Sequence, residues 1–120
     1  MSDSFDSLFQ QLKTLLKPFE NRLVINTDIE GRYHLDTAHI MKNKKPLFFG
    51  AVRIGKSYVS YHLMPVYITP DLLKNISPEL KKRMQGKSCF NFKTADPVLF
   101  AELAELTAAG ITSYSNAGYL

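Results

Sequence analysis

Leu47-Phe48-Phe49-Gly50-Ala51-Val52-Arg53-Ile54-Gly55-Lys56-Ser57-Tyr58-Val59-Ser60-Tyr61-His62-Leu63-Met64 is the stretch that decides the fold. Two runs rich in strand-forming residues, Leu47 to Ile54 and Ser57 to Met64, flank Gly55-Lys56, a link whose leading glycine suits a type II′ hairpin turn. With that turn, Ile54 faces Ser57, Val52 faces Val59, Gly50 faces Tyr61 and Phe48 faces Leu63, which makes one apolar face. The other face pairs Arg53 with Tyr58, Ala51 with Ser60 and Phe49 with His62, and is amphipathic. Gly50 to Ser57 also matches the phosphate-loop pattern G-x-x-x-x-G-K-S letter for letter. That motif needs a flexible loop followed by a helix starting at the Lys and Ser. Here the spacer residues are strand formers and Tyr58-Val59-Ser60-Tyr61 continues to alternate, so the hairpin reading prevails.

Working outward, Phe5, Leu8, Phe9, Leu12, Leu15, Leu16 and Phe19 recur at helical spacing, with Ser4 or Asp3 as cap and a stop near Pro18. Leu23 to Asn26 and Arg32 to Leu35 read as strands about a Glu30-Gly31 turn, and Lys42 to Pro46 as a loop. Beyond the hairpin, Pro70 to Leu73 reads as a helical turn. Ser77-Pro78 caps a helix expected to run to Gly86, and Cys89 to Phe92 reads as a short strand. Asp96-Pro97 opens a last helix carrying Leu99, Phe100, Leu103 and Leu106, which Gly110 is expected to end. The sum is a single α+β domain over 1–120, with an antiparallel sheet of about five strands covered on one face by N- and C-terminal helices. Its core spans about 5–110, and 111–120 is expected to be a loosely held tail.

A chain of 120 residues with 45% hydrophobic and 22% charged residues is ordinary for one globular domain. The start, Met1-Ser2-Asp3-Ser4, is acidic where a signal peptide is basic, and no apolar run approaches the roughly 18 residues of a membrane span. With the single Cys89 this predicts a cytoplasmic protein without a disulfide and without a membrane partner. Of the net charge of +4, the segment from Lys42 to Lys93 holds eleven Lys and Arg against Asp71 and Glu79, a local +9. That excess suits an anionic ligand, or nucleic acid through Lys81, Lys82, Arg83 and Lys87 beside Phe90 and Phe92. Because these cations are spread over a loop, a turn and a helix, nucleic acid ranks below a small ligand.

No catalytic, cofactor or metal constellation is legible. His34 and His39 bracket Asp36, but strand alternation puts His34 and Asp36 on one face and His39 on the other. The residues expected to bind a ligand are Phe49, Arg53, Tyr58, His62, Lys87 and Cys89: a half-apolar floor with cations at its edge, open to a small anion or a partner protein. Nothing in the sequence fixes an oligomeric state.

Lys45 to Tyr67, and Leu80-Lys81 through Phe92 followed by an aspartate and a closing helix, resemble the YdhG-like family, domain of unknown function 1801. The likeness spans about residues 5–110. It implies a cytosolic α+β domain of helices on an antiparallel sheet, similar in shape to frataxin-like proteins, some members being described as intracellular iron chaperones. Iron delivery of that kind uses an acidic ridge; the first helix here offers Asp3 and Asp6, and the middle of the chain is basic.

Overall fold

The computed structural model describes residues 5–120, so the cap expected at Asp3 or Ser4 lies outside the described residues. Helix α1 (Phe5–Leu16) buries Leu8, Phe9, Leu12 and Leu16 along one stripe. A 3₁₀ turn over Lys17–Arg22, begun by Pro18, leads into the sheet. Its strands are β1 (Val24–Ile29), β2 (Arg32–Ile40), β3 (Pro46–Ile54), β4 (Val59–Leu63), β5 (Met84–Gln85) and β6 (Cys89–Phe92). The order across the sheet is β1-β2-β3-β4-β6-β5, antiparallel throughout. Between β4 and β5 lie the short helices α2 (Pro65–Ile68) and α3 (Pro78–Lys81), with a 3₁₀ turn at Pro70–Leu73. Helix α4 (Pro97–Asn116) closes the chain. Both long helices pack on the same side, with α1 against β3 and against α4, so the α+β architecture with one covered face is as expected. No described helix is long and apolar enough to cross a membrane.

Four details differ from expectation, and each has a physical cause. First, the hairpin turns one residue later. Gly55 N–H donates to the Tyr58 carbonyl at 2.8 Å, so Lys56-Ser57 form the corner and Ile54 pairs with Val59, Val52 with Tyr61 and Gly50 with Leu63. Because the pairing moves by two, the residues from Gly50 to Leu63 keep their faces. Second, β3 contains a bulge: Leu35 pairs with Gly50 but Asp36 with Phe48, leaving Phe49 as the extra residue. Phe49 and Gly50 therefore both point to the core, Phe49 fully buried, and Phe48 goes to the open face. Gly50 permits this, since a Cβ there would stand 3.1 Å from Leu16 Cδ2 and from the His62 carbonyl oxygen.

Third, the helix begun at Ser77 ends at Lys81. Ser77 Oγ accepts from Leu80 N–H as a cap should, but Met84 and Gln85 then pair with Phe90 and Cys89 about Gly86, whose φ is +77°. The sheet thus has six strands because edge pairing outcompetes one more helical turn. Fourth, α4 runs through Gly110 to Asn116, and 111–120 is no loose tail. Ile111 and Tyr114 are buried, and Tyr114 Oη–H donates to the Phe48 carbonyl at 2.8 Å. Gly110 serves close approach: a Cβ there would lie 3.0 Å from Pro65 Cβ and Cγ.

Replacing Gly110 with Val should therefore drive α4 off α2 and lower unfolding stability by about 1–3 kcal/mol, the usual cost of overpacking. Urea denaturation checks it; an unchanged midpoint would mean that the helix does not need this contact.

Candidate functional site

The helices leave the opposite face of the sheet bare, and the pairing register lays its side chains out in rows. Thr27, His34, Ala51, His62, Cys89 and Gln85 are successive cross-strand partners on β1, β2, β3, β4, β6 and β5. The next row runs Arg32, Arg53, Ser60, Asn91. Small Ala51 between two imidazoles leaves a recess of about 530 Å³, lined by Arg32, His34, Phe48, Ala51, Arg53, Lys56, Ser57, Tyr58, Ser60, His62 and Cys89 among others. Its basic residues sit toward the β3–β4 turn and its aromatic floor toward the bulge.

The floor is held firmly. The Phe48 ring meets the His34 ring at a centroid distance of 4.5 Å and the His62 ring edge-on at 5.3 Å. His34 Nε2 lies 2.9 Å from Asp36 Oδ1, and Asp36 Oδ2 accepts from Asn26 Nδ2 at 2.9 Å, so this buried carboxylate is committed on both oxygens. His62 Nε2 is 2.7 Å from Ser88 Oγ, and Ser60 Oγ donates to Asn91 Oδ1 at 2.7 Å. Burial, and then the charge of His34, push the His62 pKa below its ordinary 6.5. Burial pushes the Cys89 thiol up while nearby Arg53 pulls it down, the net shift being upward. Cys89 is thus a protonated, weakly nucleophilic thiol at neutral pH.

The rim is different in kind. Arg32 and Arg53 are direct cross-strand partners, both exposed and both lining the recess. Among the described residues the ion pairs are Lys13 with Asp28 and His34 with Asp36, and neither arginine takes part in one. Like charges directly opposed across a ladder cost stability, and no lining residue is an Asp or Glu to offset them.

Of the six residues expected from the sequence, the structure brings Arg53, Tyr58, His62 and Cys89 together on this face. It does not bring Phe49 or Lys87. Phe49 is turned into the core by the bulge, and Phe48 takes the place beside His62. Lys87 sits on the β5–β6 loop with Nζ 6.0 Å from the Tyr67 ring centroid, away from the recess. Sequence reasoning missed Arg32, His34, Phe48, Lys56 and Ser60. Gly50 inside a strand was the available signal for the bulge. Arg32 and His34 share a face by simple alternation, but their placement opposite Arg53 and Ala51 depends on a β2–β3 register that the irregular Met41–Lys45 connection hides. No family model, curated protein or solved structure matches the chain.

The imidazole of His62 should titrate below 6.5 in an NMR titration. Since its folded pKa is depressed, the unfolded chain takes up the proton first as pH falls through about 6.5. Stability should therefore be complete above that pH and decline from there toward the lower folded value. His62→Gln should flatten this part of the profile in urea titrations at pH 7.5 and 5.5.

Proposed function

We propose that the protein is a binding domain whose open sheet face receives a small anionic ligand in the recess between His34 and His62. The observation that carries this reading is the opposed pair Arg32 and Arg53, exposed at the rim of a half-apolar recess with no carboxylate among its lining residues. An anion placed between the two guanidiniums turns a repulsive pair into two charge-assisted contacts, and guanidinium forks suit carboxylate or phosphate oxygens. Lys56 at the turn adds a third cation, Ser57 and Ser60 supply hydroxyls, and Phe48 with Tyr58 offers apolar surface for the ligand's body.

The iron-chaperone role that the YdhG-like resemblance implies has less support. Among the described residues no three or more His, Cys, Asp or Glu are placed to hold a metal ion, and Asp36, beside the recess, is already engaged by His34 and Asn26. Iron prefers carboxylate and imidazole oxygen and nitrogen donors, and the cations here repel it. The two readings separate on adding Fe(II) or inorganic phosphate to metal-free protein.

Phosphate line broadening in ³¹P NMR should report binding that weakens as salt is raised. Arg53→Gln should reduce the affinity at least tenfold while leaving the free protein as stable as before or about 0.2–1 kcal/mol more stable, because a like-charge pair is removed. Loss of stability in Arg53→Gln with unaltered phosphate broadening would show the arginine to be structural and end the proposal.

A further inference from the structure

Tyr58 is a wall shared by two recesses. With Ser57 it also lines a second hollow of about 390 Å³, where Lys82, Arg83 and Lys93 converge with Asn91. Its cations come from two places in the chain. Lys82 and Arg83 follow α3, and Lys93 follows β6; the premature end of α3 and the β5–β6 hairpin bring them beside the β3–β4 turn. Lys82 and Lys93 are exposed, and among the described residues neither has an ion pair. Asn91 Nδ2 donates to Gln85 Oε1 at 2.7 Å, and its Oδ1 accepts from Ser60, so one amide ties the two hollows together. Taken as one surface, the two carry six Lys and Arg and no Asp or Glu.

We infer that the ligand of this face carries two phosphate-type groups, one seated at Arg32 and Arg53 and the other at Lys82 and Lys93, with a flat body lying over the Tyr58 ring between them. This rests on the proposed anion-binding reading and adds a second subsite to it. A single compact anion would leave one of the two cation clusters unpaired. Two anions joined by a short linker engage both, and the second contact is made intramolecularly, which raises affinity without new chemistry. The half-buried Tyr58 supplies a stacking surface that any planar ring can use. Such chemistry occurs in a free nucleoside bisphosphate and in a single nucleic-acid strand, whose phosphates also flank flat bases.

Calorimetric titration with inorganic phosphate, thymidine 5′-monophosphate, thymidine 3′,5′-bisphosphate and oligothymidylates of two to eight residues tests the inference. The bisphosphate should bind at least tenfold more tightly than the monophosphate. The double substitution Lys82→Gln with Lys93→Gln, both at exposed positions, should bring it down to the monophosphate level without altering monophosphate affinity, while Arg53→Gln should weaken both ligands. Equal binding of monophosphate and bisphosphate, with Arg53→Gln still damaging, would overturn the second subsite and leave the anion site standing. Absence of binding by every ligand would overturn both. Affinity that levels off once two phosphates are present supports two fixed subsites. Affinity that climbs with every added residue overturns them in favour of a diffuse basic surface.

Discussion

Between its contacts with Leu35 and Asp36, β3 carries one residue more than β2, and most of what distinguishes this molecule depends on that surplus. Two neighbouring side chains of a regular strand point to opposite faces. The bulge makes Phe49 and Gly50 both face the helices, and the consequences run in two directions. On the covered side, the Phe49 ring meets Tyr114 edge-on at 5.6 Å while the missing side chain of Gly50 leaves room for Leu16. Both long helices are thus received at one point of one strand. On the bare side, Phe48 is lifted between two imidazoles and Ala51 stays central, which makes the floor and the depth of the recess. A regular β3 would have kept Phe49 beside His62 and Phe48 in the core, with a different fit on both faces.

The two faces are stabilised by opposite means. The covered face buries aliphatic and aromatic side chains, and the hydroxyls among them are paired: Tyr61 Oη with Thr107 Oγ1, Tyr33 Oη with Glu20, Tyr114 Oη with the Phe48 carbonyl. Burial raises the pKa of all three tyrosines, so they are neutral hydroxyls at neutral pH. The bare face keeps its histidines and Asp36 in fixed hydrogen bonds yet leaves its arginines opposed. Satisfied polar groups thus stand beside a like-charge pair that no carboxylate of the recess offsets, which costs stability locally.

The chain announces the parts of the fold that are local. The amphipathic spacing of α1, the alternation on either side of Gly55, the cap at Ser77 and the start at Asp96 can each be read from neighbouring residues, and they suffice for the architecture. What could not be read depends on partners distant in sequence. The bulge exists because β2 offers one residue fewer, and Met84–Gln85 extend because β6 is there to receive them. Gly110 was ambiguous for a simpler reason: the same lack of a side chain suits a helix terminus and a helix crossing, and only the position of Pro65 decides between them. The site divides the same way. Arg53, Tyr58 and His62 follow from the hairpin's parity, whereas the neighbours that give them meaning, Arg32 and His34, arrive across a pairing set by tertiary structure.

The placing of α4 has a bearing on how the chain reaches this state. Strands β1 to β4 are joined by successive short connections and can assemble as a meander from contacts close in sequence, which is the fast part of folding. Their apolar side cannot be closed by α1 alone, because α4 supplies Leu99, Leu103, Ile111 and Tyr114 to the same core and follows every strand in the chain. Without α4 in place the sheet keeps part of its apolar side uncovered. Docking of α4 is therefore the step that removes this surface from self-association.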